Sequence, residues 1–118
     1  MPINSRNKGA VGERELAHFL TNHGYPAHRG QQHAGGPDSP DVVCPALAQF
    51  HIECKRVEAG NPYNWLAQAE RDKADDQVPL VCHRRNGKGW LAILPLEDFL
   101  KLLEHTNEPL PPSDPERH

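Results

Sequence analysis

Apolar side chains recur at helical spacing in three segments of the 118-residue chain. The first helix is expected from Arg6 to His23, between a capping Ser5 and a terminating Gly24. The second is expected from Asn61 to about Ala74, because Asn-Pro is typical of a helix start. The third is the amphipathic segment "LEDFLKLLEH". These three segments account for the helical part of the pattern.

Shorter apolar or alternating segments predict five strands. They are "YPAHRGQ", "DVVCP", "QFHIECKRVE", "VPLVCHRR" and "GWLAILP", and "NGKG" joins the last two as a hairpin. The order α-β-β-β-α-β-β-α predicts one α/β domain, residues 1–105, with a mixed central sheet flanked by helices. The polar, Pro-rich segment 106–118 predicts an unpacked tail.

The third strand carries charges on one face. Alternation places His51, Glu53 and Lys55 on one side of this strand, and Ile52 and Cys54 on the other. The carboxylate and the ammonium group are either an ion pair on a solvated face or, if the strand is central, groups that need a partner or a function. The strand alone leaves both interpretations open.

A second unusual charge lies in the first helix. Glu13 falls inside the apolar stripe that Leu16, Ala17, Phe19 and Leu20 define. It either extends past the helix end or caps a neighbour, or it reaches into a polar pocket at the edge of the sheet.

The segment "GGPDSPDVV" contains two aspartates, Asp38 and Asp41. Asp38 lies between proline and serine, as turn formers do. Asp41 opens the second strand, and an antiparallel pairing of the second and third strands would bring it close to Glu53. We therefore expect Asp41, and not Asp38, to have a chemical role.

Four charged residues, Glu13, Asp41, Glu53 and Lys55, are thus predicted around one point. Carboxylates without Cys or His partners form a hard-oxygen site suited to Mg²⁺ or Mn²⁺, and the carbonyl of Cys54 is a natural further ligand. Such an ion lowers the pKa of bound water and offsets phosphate charge, and a lysine beside it orients or deprotonates that water. This chemistry is phosphodiester hydrolysis.

Composition excludes several other classes. No apolar segment reaches the ~20 residues of a membrane helix, and the N-terminus lacks a secretory h-region. Three cysteines without CxxC spacing indicate reduced thiols in a cytoplasmic protein. Eight scattered histidines are expected at the surface or individually placed. The net charge of −3 comes from residues 104–118, which leaves a neutral body that can still hold a basic face.

Asp41, eleven intervening residues and "ECK" resemble the PD-(D/E)XK nuclease signature. "NKGAVGERELAHFLTNHGY", "SPDVV", "HIECKRVE" and "AQAE" resemble archaeal-type Holliday junction resolvases, and their succession is particularly similar to small phage and prophage resolvase-like nucleases. The resemblance covers Arg6 to about Phe99. It implies a restriction-endonuclease-like αβββαβ core in a protein of a bacterial or phage-infected cell.

The resemblance also implies roles for individual residues. Asp41 and Glu53 would ligate the metal, Glu13 would help to hold it through water, and Lys55 would be the catalytic lysine. Gln68 would orient the nucleophile or a phosphate. No organic cofactor is implied.

DNA contacts follow from the same resemblance. The loop from Gln31 to Ser39 would touch DNA, and a homodimer would cut paired strands of a four-way junction. Trp65 and Trp90 could stack on bases, but core packing is favoured. Each expected phosphate contact could instead be an ordinary surface charge; these residues are Arg6, Lys8, Arg29, Arg56, Arg84, Arg85 and Lys88.

The favoured hypothesis is a metal-dependent, structure-selective DNA endonuclease that resolves Holliday junctions in recombination and repair. The alternative within the enzyme class is a general or nicking endonuclease with the same site. A non-catalytic DNA-binding module would not need the whole charged set. A protein-interaction subunit that uses the acidic tail is at most a secondary role.

Overall fold

The computed structural model describes the backbone of residues 5–30 and 40–106, and the side chains of residues 9–30 and 40–104. Three α-helices, five strands and one short 3-10 helix follow each other in the predicted order. They are α1 (Ser5–Asn22), β1 (His28–Arg29), β2 (Val42–Val43), the 3-10 helix Pro45–Leu47, β3 (Phe50–Arg56), α2 (Pro62–Asp72), β4 (Val78–Arg84), β5 (Leu91–Ile93) and α3 (Leu96–Thr106). The predicted α/β class with a mixed sheet flanked by helices is confirmed.

The main sheet has the strand order β3-β4-β5. β3 and β4 are parallel and pair from Phe50 with Val78 to Arg56 with Arg84, whereas β4 and β5 are antiparallel. The connection from β3 to β4 runs through α2, as a parallel pair requires. The mixed character of the sheet follows from this crossover and from the tight hairpin after β4.

The first two strands are shorter than predicted and form a separate antiparallel ribbon. The expected antiparallel ladder between the second and third strands is therefore wrong. A single backbone hydrogen bond of 3.0 Å, from the N–H of Asp41 to the carbonyl of Ile52, joins the ribbon to β3 instead. This bond places the start of β2 beside the middle of β3.

The hydrophobic core lies between α1 and one face of the sheet. Its buried members come from α1, β2, β3 and β4, and they are Leu16, Ala17, Val42, Cys44, Ile52 and Cys82. The predicted turn at Gly24 is present, since this glycine has a φ of +93° and its N–H bonds the carbonyl of Thr21.

Gly12 allows α1 to approach β3 closely. A Cβ atom at this position would lie 2.5 Å from the Cβ of Arg56 and 3.7 Å from the Sγ of Cys54. Any larger side chain would push the helix away from the strand. The register of α1 on β3, and so the position of Glu13, depends on this contact.

The opposite face of the sheet is covered by α2. Asn61 caps this helix through a 2.9 Å bond from the N–H of Tyr63, and Ala69 is its fully buried contact with the sheet. On β3 this face carries His51, Glu53 and Lys55. α2 therefore covers a row of polar side chains.

The helix α3 follows β5 directly and has an exposed apolar side. Leu96, Phe99 and Leu100 retain 70%, 43% and 52% of their accessible surface. Within the described residues, every helix is too short or too polar to cross a membrane. The predicted tail begins at residue 106, which is instead the last residue of α3; residues 107–118 and the loop from Gln31 to Ser39, with Asp38, lie outside the described residues.

Candidate active site

A cleft of about 320 Å³ opens beside α1, β3 and α2. It is lined by Gly9, Glu13, Asp41, Cys54, Lys55, Arg56, Val57 and Gln68. Four of the five residues predicted to be catalytic, from four different parts of the chain, thus share one cavity: Glu13, Asp41, Lys55 and Gln68. The described structure brings together side chains that lie up to 55 positions apart in the sequence.

Asp41 is held against β3 at two points. Its N–H donates to the carbonyl of Ile52 at 3.0 Å, and its Oδ2 accepts a 2.8 Å hydrogen bond from the N–H of Cys54. Its carbonyl accepts from the N–H of Gly30, which closes the ribbon. These bonds fix the carboxyl group between the two charged residues of the "ECK" segment.

The carboxyl of Asp41 also lies beside that of Glu53, close enough for the two groups to interact through a hydrogen bond and through their charges. Burial, followed by this hydrogen bond and the charge of Glu53, raises the pKa of Asp41 from 3.8 to about 8. The Cys54 N–H acts in the opposite direction, and the charge of Glu13 adds to the increase. A cation bound beside Asp41 would oppose these effects, because it would stabilise the ionised form of the carboxyl.

Glu53 is only 3% exposed, and His51 is fully buried. The Nε2 of His51 lies 3.2 Å from the Oε1 of Glu53. The interpretation of this face as solvated is therefore wrong for His51 and Glu53. α2 covers both side chains. Of the four predicted ligands, all in the described part of the chain, Glu53 alone does not line the cleft.

Lys55 is positioned by α2. Its Nζ donates a 3.2 Å hydrogen bond to the Oε1 of Gln68. Gln68 was expected beside the site only from the family resemblance, and the structure gives it a direct partner there. The lysine is therefore held at the cleft by a neutral side chain that leaves its positive charge uncompensated.

Glu13 is 7% exposed and lines the cleft, which agrees with the expected polar pocket at the sheet edge. Its Oε1 accepts a 2.7 Å bond from the Nε of Arg29 on β1. This ion pair joins α1 to the small ribbon. Arg29, expected to contact phosphate, is thus partly engaged by an acid of the site.

Two further arginines expected to contact DNA converge on one carboxylate. Arg56 and Arg84 lie on the α1 side of neighbouring strands, and both donate to the Oε1 of Glu15, at 2.9 and 2.7 Å. Arg56 also bonds Asn86 at 3.0 Å and lies 3.6 Å from Glu58. Both arginines are thus paired with carboxylates of the protein itself.

A second cleft of about 440 Å³ lies along the hairpin between β4 and β5, with Arg85 and Lys88 exposed beside it. The side chains of Arg6 and Lys8 lie outside the described residues.

Trp65 is half-buried and packs on His83, with ring centroids 4.8 Å apart. Trp90 packs against the core, 6.5 Å from Phe19. Both tryptophans have the packing role that was favoured.

All three cysteines have free thiols, as expected. Burial raises the pKa of Cys82 to about 12 and raises that of Cys54 further still. These thiols stay protonated at neutral pH. Cys54 can therefore contribute to the site only through its backbone.

Sequence reasoning missed two residues near the site, His51 as a partner of Glu53 and Asp72 at the end of α2. One ring nitrogen of His51 and one carboxylate oxygen each of Glu53 and Asp72 lie within 4.8 Å of one another. A signal for Asp72 existed, since it follows Gln68 by one helical turn and so lies on the same side of α2. This spacing could not identify Asp72 as a site residue, because nothing in the sequence shows which face of β3 the helix covers.

The family described as "Phage putative PDDEXK endonuclease" matches residues 4–113 of the chain. The match therefore spans every element from α1 to α3 and includes all the cleft residues. No curated protein matches the chain with significant similarity.

Proposed function

The chain belongs to this family of phage PDDEXK endonucleases, and from this premise we propose that it is a metal-dependent, structure-selective DNA endonuclease that resolves four-way junctions. The single observation that carries the nuclease chemistry is the shared cleft of Asp41, Lys55, Gln68 and Glu13. A carboxyl that holds a proton, an uncompensated ammonium group and a neutral amide together suit phosphodiester hydrolysis.

The donor set fits a hard divalent cation such as Mg²⁺ or Mn²⁺. Asp41, Glu53 and the carbonyl of Cys54 offer oxygen ligands, and Glu13 would hold the ion through water. The raised pKa of Asp41 is compatible with this assignment, because a cation bound beside it would stabilise the ionised form of the carboxyl. When bound, the ion lowers the pKa of water and offsets the charge of the phosphate.

The protein's own residues would position the substrate. Lys55, held by Gln68 at 3.2 Å, would donate to a phosphate oxygen or orient the attacking water. Gln68 keeps the ammonium group at the cleft without neutralising it. Arg29, with its side chain 35% exposed, keeps donors available for a phosphate while its Nε stays on Glu13.

DNA would lie across the cleft and reach the hairpin. Arg85 and Lys88 are exposed beside the second cleft and are suited to hold phosphates without reading bases. Arg56 and Arg84 would add to this surface where phosphate competes with Glu15. A surface of this kind binds by charge and shape, which suits a branched substrate.

Selectivity for four-way junctions rests on the resemblance to archaeal-type resolvases in the first helix, the second and third strands and the "AQAE" helix. We extend this to a homodimer, because two active sites are needed to cut paired strands. The exposed Leu96, Phe99 and Leu100 of α3 are an apolar surface that a second copy could cover. A mass measurement in solution, by analytical ultracentrifugation, tests the dimer.

The test compares a four-way junction with a linear duplex of the same sequence, with Mg²⁺ or Mn²⁺ and with EDTA. Symmetric cutting of the junction and a much slower reaction on the duplex are expected. Equal cutting of both substrates would support a nuclease but contradict selectivity for junctions. The second candidate function, a general or nicking endonuclease, would then be favoured.

A further inference from the structure

A row of polar side chains lies beneath α2, beyond the cleft. His51 and Glu53 follow each other on this face of β3, and Asp72 is the last residue of α2 above them. One ligand atom from each of the three lies within 4.8 Å of the others. Since His51 is fully buried and Glu53 is 3% exposed, this row belongs to the interior of the protein.

A cation would offset the charges of the two acids in this row. Two carboxylates this close repel each other, and Asp72 lies at the C-terminal end of a helix, where the macrodipole disfavours an anion. In the described part of the chain Asp72 has no ion-pair partner, and the neighbouring Lys73 bonds Glu70 at 3.7 Å and the carbonyl of Ala74 at 3.3 Å instead.

His51 has a nitrogen without a partner. Its Nε2 lies at hydrogen-bond distance from Glu53, whereas its buried Nδ1 bonds nothing among the described residues. Imidazole binds metals through an unprotonated ring nitrogen, and the Nε2 that faces Glu53 is the nitrogen that would take an ion shared with that carboxylate.

We propose that His51, Glu53 and Asp72 form a second divalent cation site, separate from the oxygen-only site at Asp41. One nitrogen and two carboxylates are the ligands of first-row transition ions such as Mn²⁺, Fe²⁺ or Zn²⁺, whereas Mg²⁺ is bound by oxygens. The site therefore takes a transition ion and discriminates against Mg²⁺.

The distances are compatible with such an ion. Adjacent ligand atoms that lie about 2.1 Å from a metal are about 3 Å apart in an octahedral arrangement. His51 and Glu53 already satisfy this, at 3.2 Å. One oxygen of the partly exposed Asp72 lies within 4.8 Å of the other two ligand atoms, so a shift of this side chain would bring it to the same spacing. The bound ion would tie α2 to β3.

This site shares Glu53 with the proposed nuclease site. Any effect of its ion on cleavage rests on the proposed function. Binding of the ion itself depends on His51, Glu53 and Asp72 alone. The two proposals can therefore fail separately.

The experiment uses Mn²⁺ as the probe on the full chain. Pulsed electron paramagnetic resonance detects the coupling of a ¹⁴N nucleus to bound Mn²⁺, which an oxygen-only site does not give. The wild-type protein and Asp41→Asn are both expected to show a nitrogen-coupled Mn²⁺. Asp72→Asn is expected to weaken the binding of that ion at least tenfold.

Asp76→Asn is the matched control, because it removes the same charge from an exposed position four residues after Asp72. It is expected to bind as the wild type does. Absence of nitrogen coupling at saturating Mn²⁺, or a nitrogen-coupled ion that Asp72→Asn binds with unchanged affinity, would overturn the second site. If Asp41→Asn loses cleavage and no nitrogen coupling is found, the nuclease proposal stands and the second cation site is overturned. If a nitrogen-coupled ion is found in a protein without nuclease activity, the second site stands and the nuclease proposal is overturned.

Discussion

The backbone N–H of Cys54 donates a 2.8 Å hydrogen bond to the carboxyl of Asp41, thirteen residues earlier in the chain. This bond holds Asp41 against Glu53, and the pKa of Asp41 rises to about 8 because its carboxyl is buried and interacts with that of Glu53. The metal-free protein thus stores a protonated carboxyl at the point where the nuclease needs an ionised one.

A first prediction concerns the stability of the metal-free protein. The pKa of Asp41 is 3.8 in an unfolded chain and about 8 in the folded one, so folding takes up a proton between these pH values. The stabilisation by this group is complete below pH 3.8 and is lost as the pH rises through about 8. In EDTA, the free energy of unfolding of the wild type should therefore fall from about pH 5 to about pH 8 more steeply than that of Asp41→Asn.

The difference in slope is at most about 1.4 kcal/mol per pH unit, the value for one proton. Urea titrations at several pH values measure it. The asparagine can keep the Cys54 bond through its side-chain oxygen, so the variant is expected to fold. Parallel slopes for the two proteins would show that Asp41 does not hold a proton in the folded state.

A second prediction concerns Glu15, the shared partner of Arg56 and Arg84. Glu15→Gln should release both guanidinium groups for phosphate, so DNA should bind several-fold more tightly, with a steeper dependence on salt. The free energy of unfolding should fall by about 1 kcal/mol, because the ion pairs that the change removes are only partly buried. Fluorescence anisotropy with a labelled junction measures the affinity.

The control for this change is Glu97→Gln, which removes an acid from the exposed side of α3. If the effect came only from reduced electrostatic repulsion between the protein and DNA, both variants would bind DNA more tightly. Tighter binding by Glu15→Gln alone assigns Arg56 and Arg84 to the DNA surface, and unchanged binding would give them a structural role only.

A third prediction tests the close approach of α1 to β3. Gly12→Ala places a methyl group 2.5 Å from the Cβ of Arg56, so it should destabilise the protein by about 1–3 kcal/mol. Gly9→Ala has the same change in helix propensity but open space around it, and should stabilise by up to about 1 kcal/mol. Thermal unfolding of both variants compares them. Equal effects would mean that α1 can shift without cost.

A fourth prediction concerns the hairpin. Arg85→Gln and Lys88→Gln should each weaken junction binding and reduce the slope of log affinity against log salt by about 0.9 for each phosphate that the variant no longer neutralises. Lys101→Gln on α3 is the control for a change of net charge and should leave the slope unchanged. If all three variants behave alike, the hairpin does not bind phosphate specifically.

The sequence was sufficient for much of this structure because its patterns are local. Helical spacing placed α1, and strand alternation placed Glu53 and Lys55 on one face of β3. The inward position of Glu13 followed from the same spacing, because a charge inside an apolar stripe needs a polar partner. The closeness of Asp41 and Glu53 was also foreseen, although by a strand ladder that the structure replaces with two hydrogen bonds of Asp41.

The remaining features depend on which elements pack together, and local periodicity does not contain that information. Alternation put His51 beside Glu53 but could not show that α2 buries this face. Helical spacing does not show that Glu15 of α1 meets Arg56 and Arg84 from two strands. The pairing of Arg29 with Glu13 joins residues that no local pattern connects.

The most direct test of the central claim is the rate of cleavage of a four-way junction by the wild type, Asp41→Asn and Lys55→Ala. Each variant should cut at least about 100-fold more slowly with Mg²⁺ while it binds the junction with unchanged affinity, because the removed groups act in the chemical step. Lys73→Ala, at the end of α2, is the matched control and should cut at the wild-type rate. EDTA should stop the reaction in every active protein. Wild-type rates in Asp41→Asn and Lys55→Ala, or cleavage that persists in EDTA, would contradict the account.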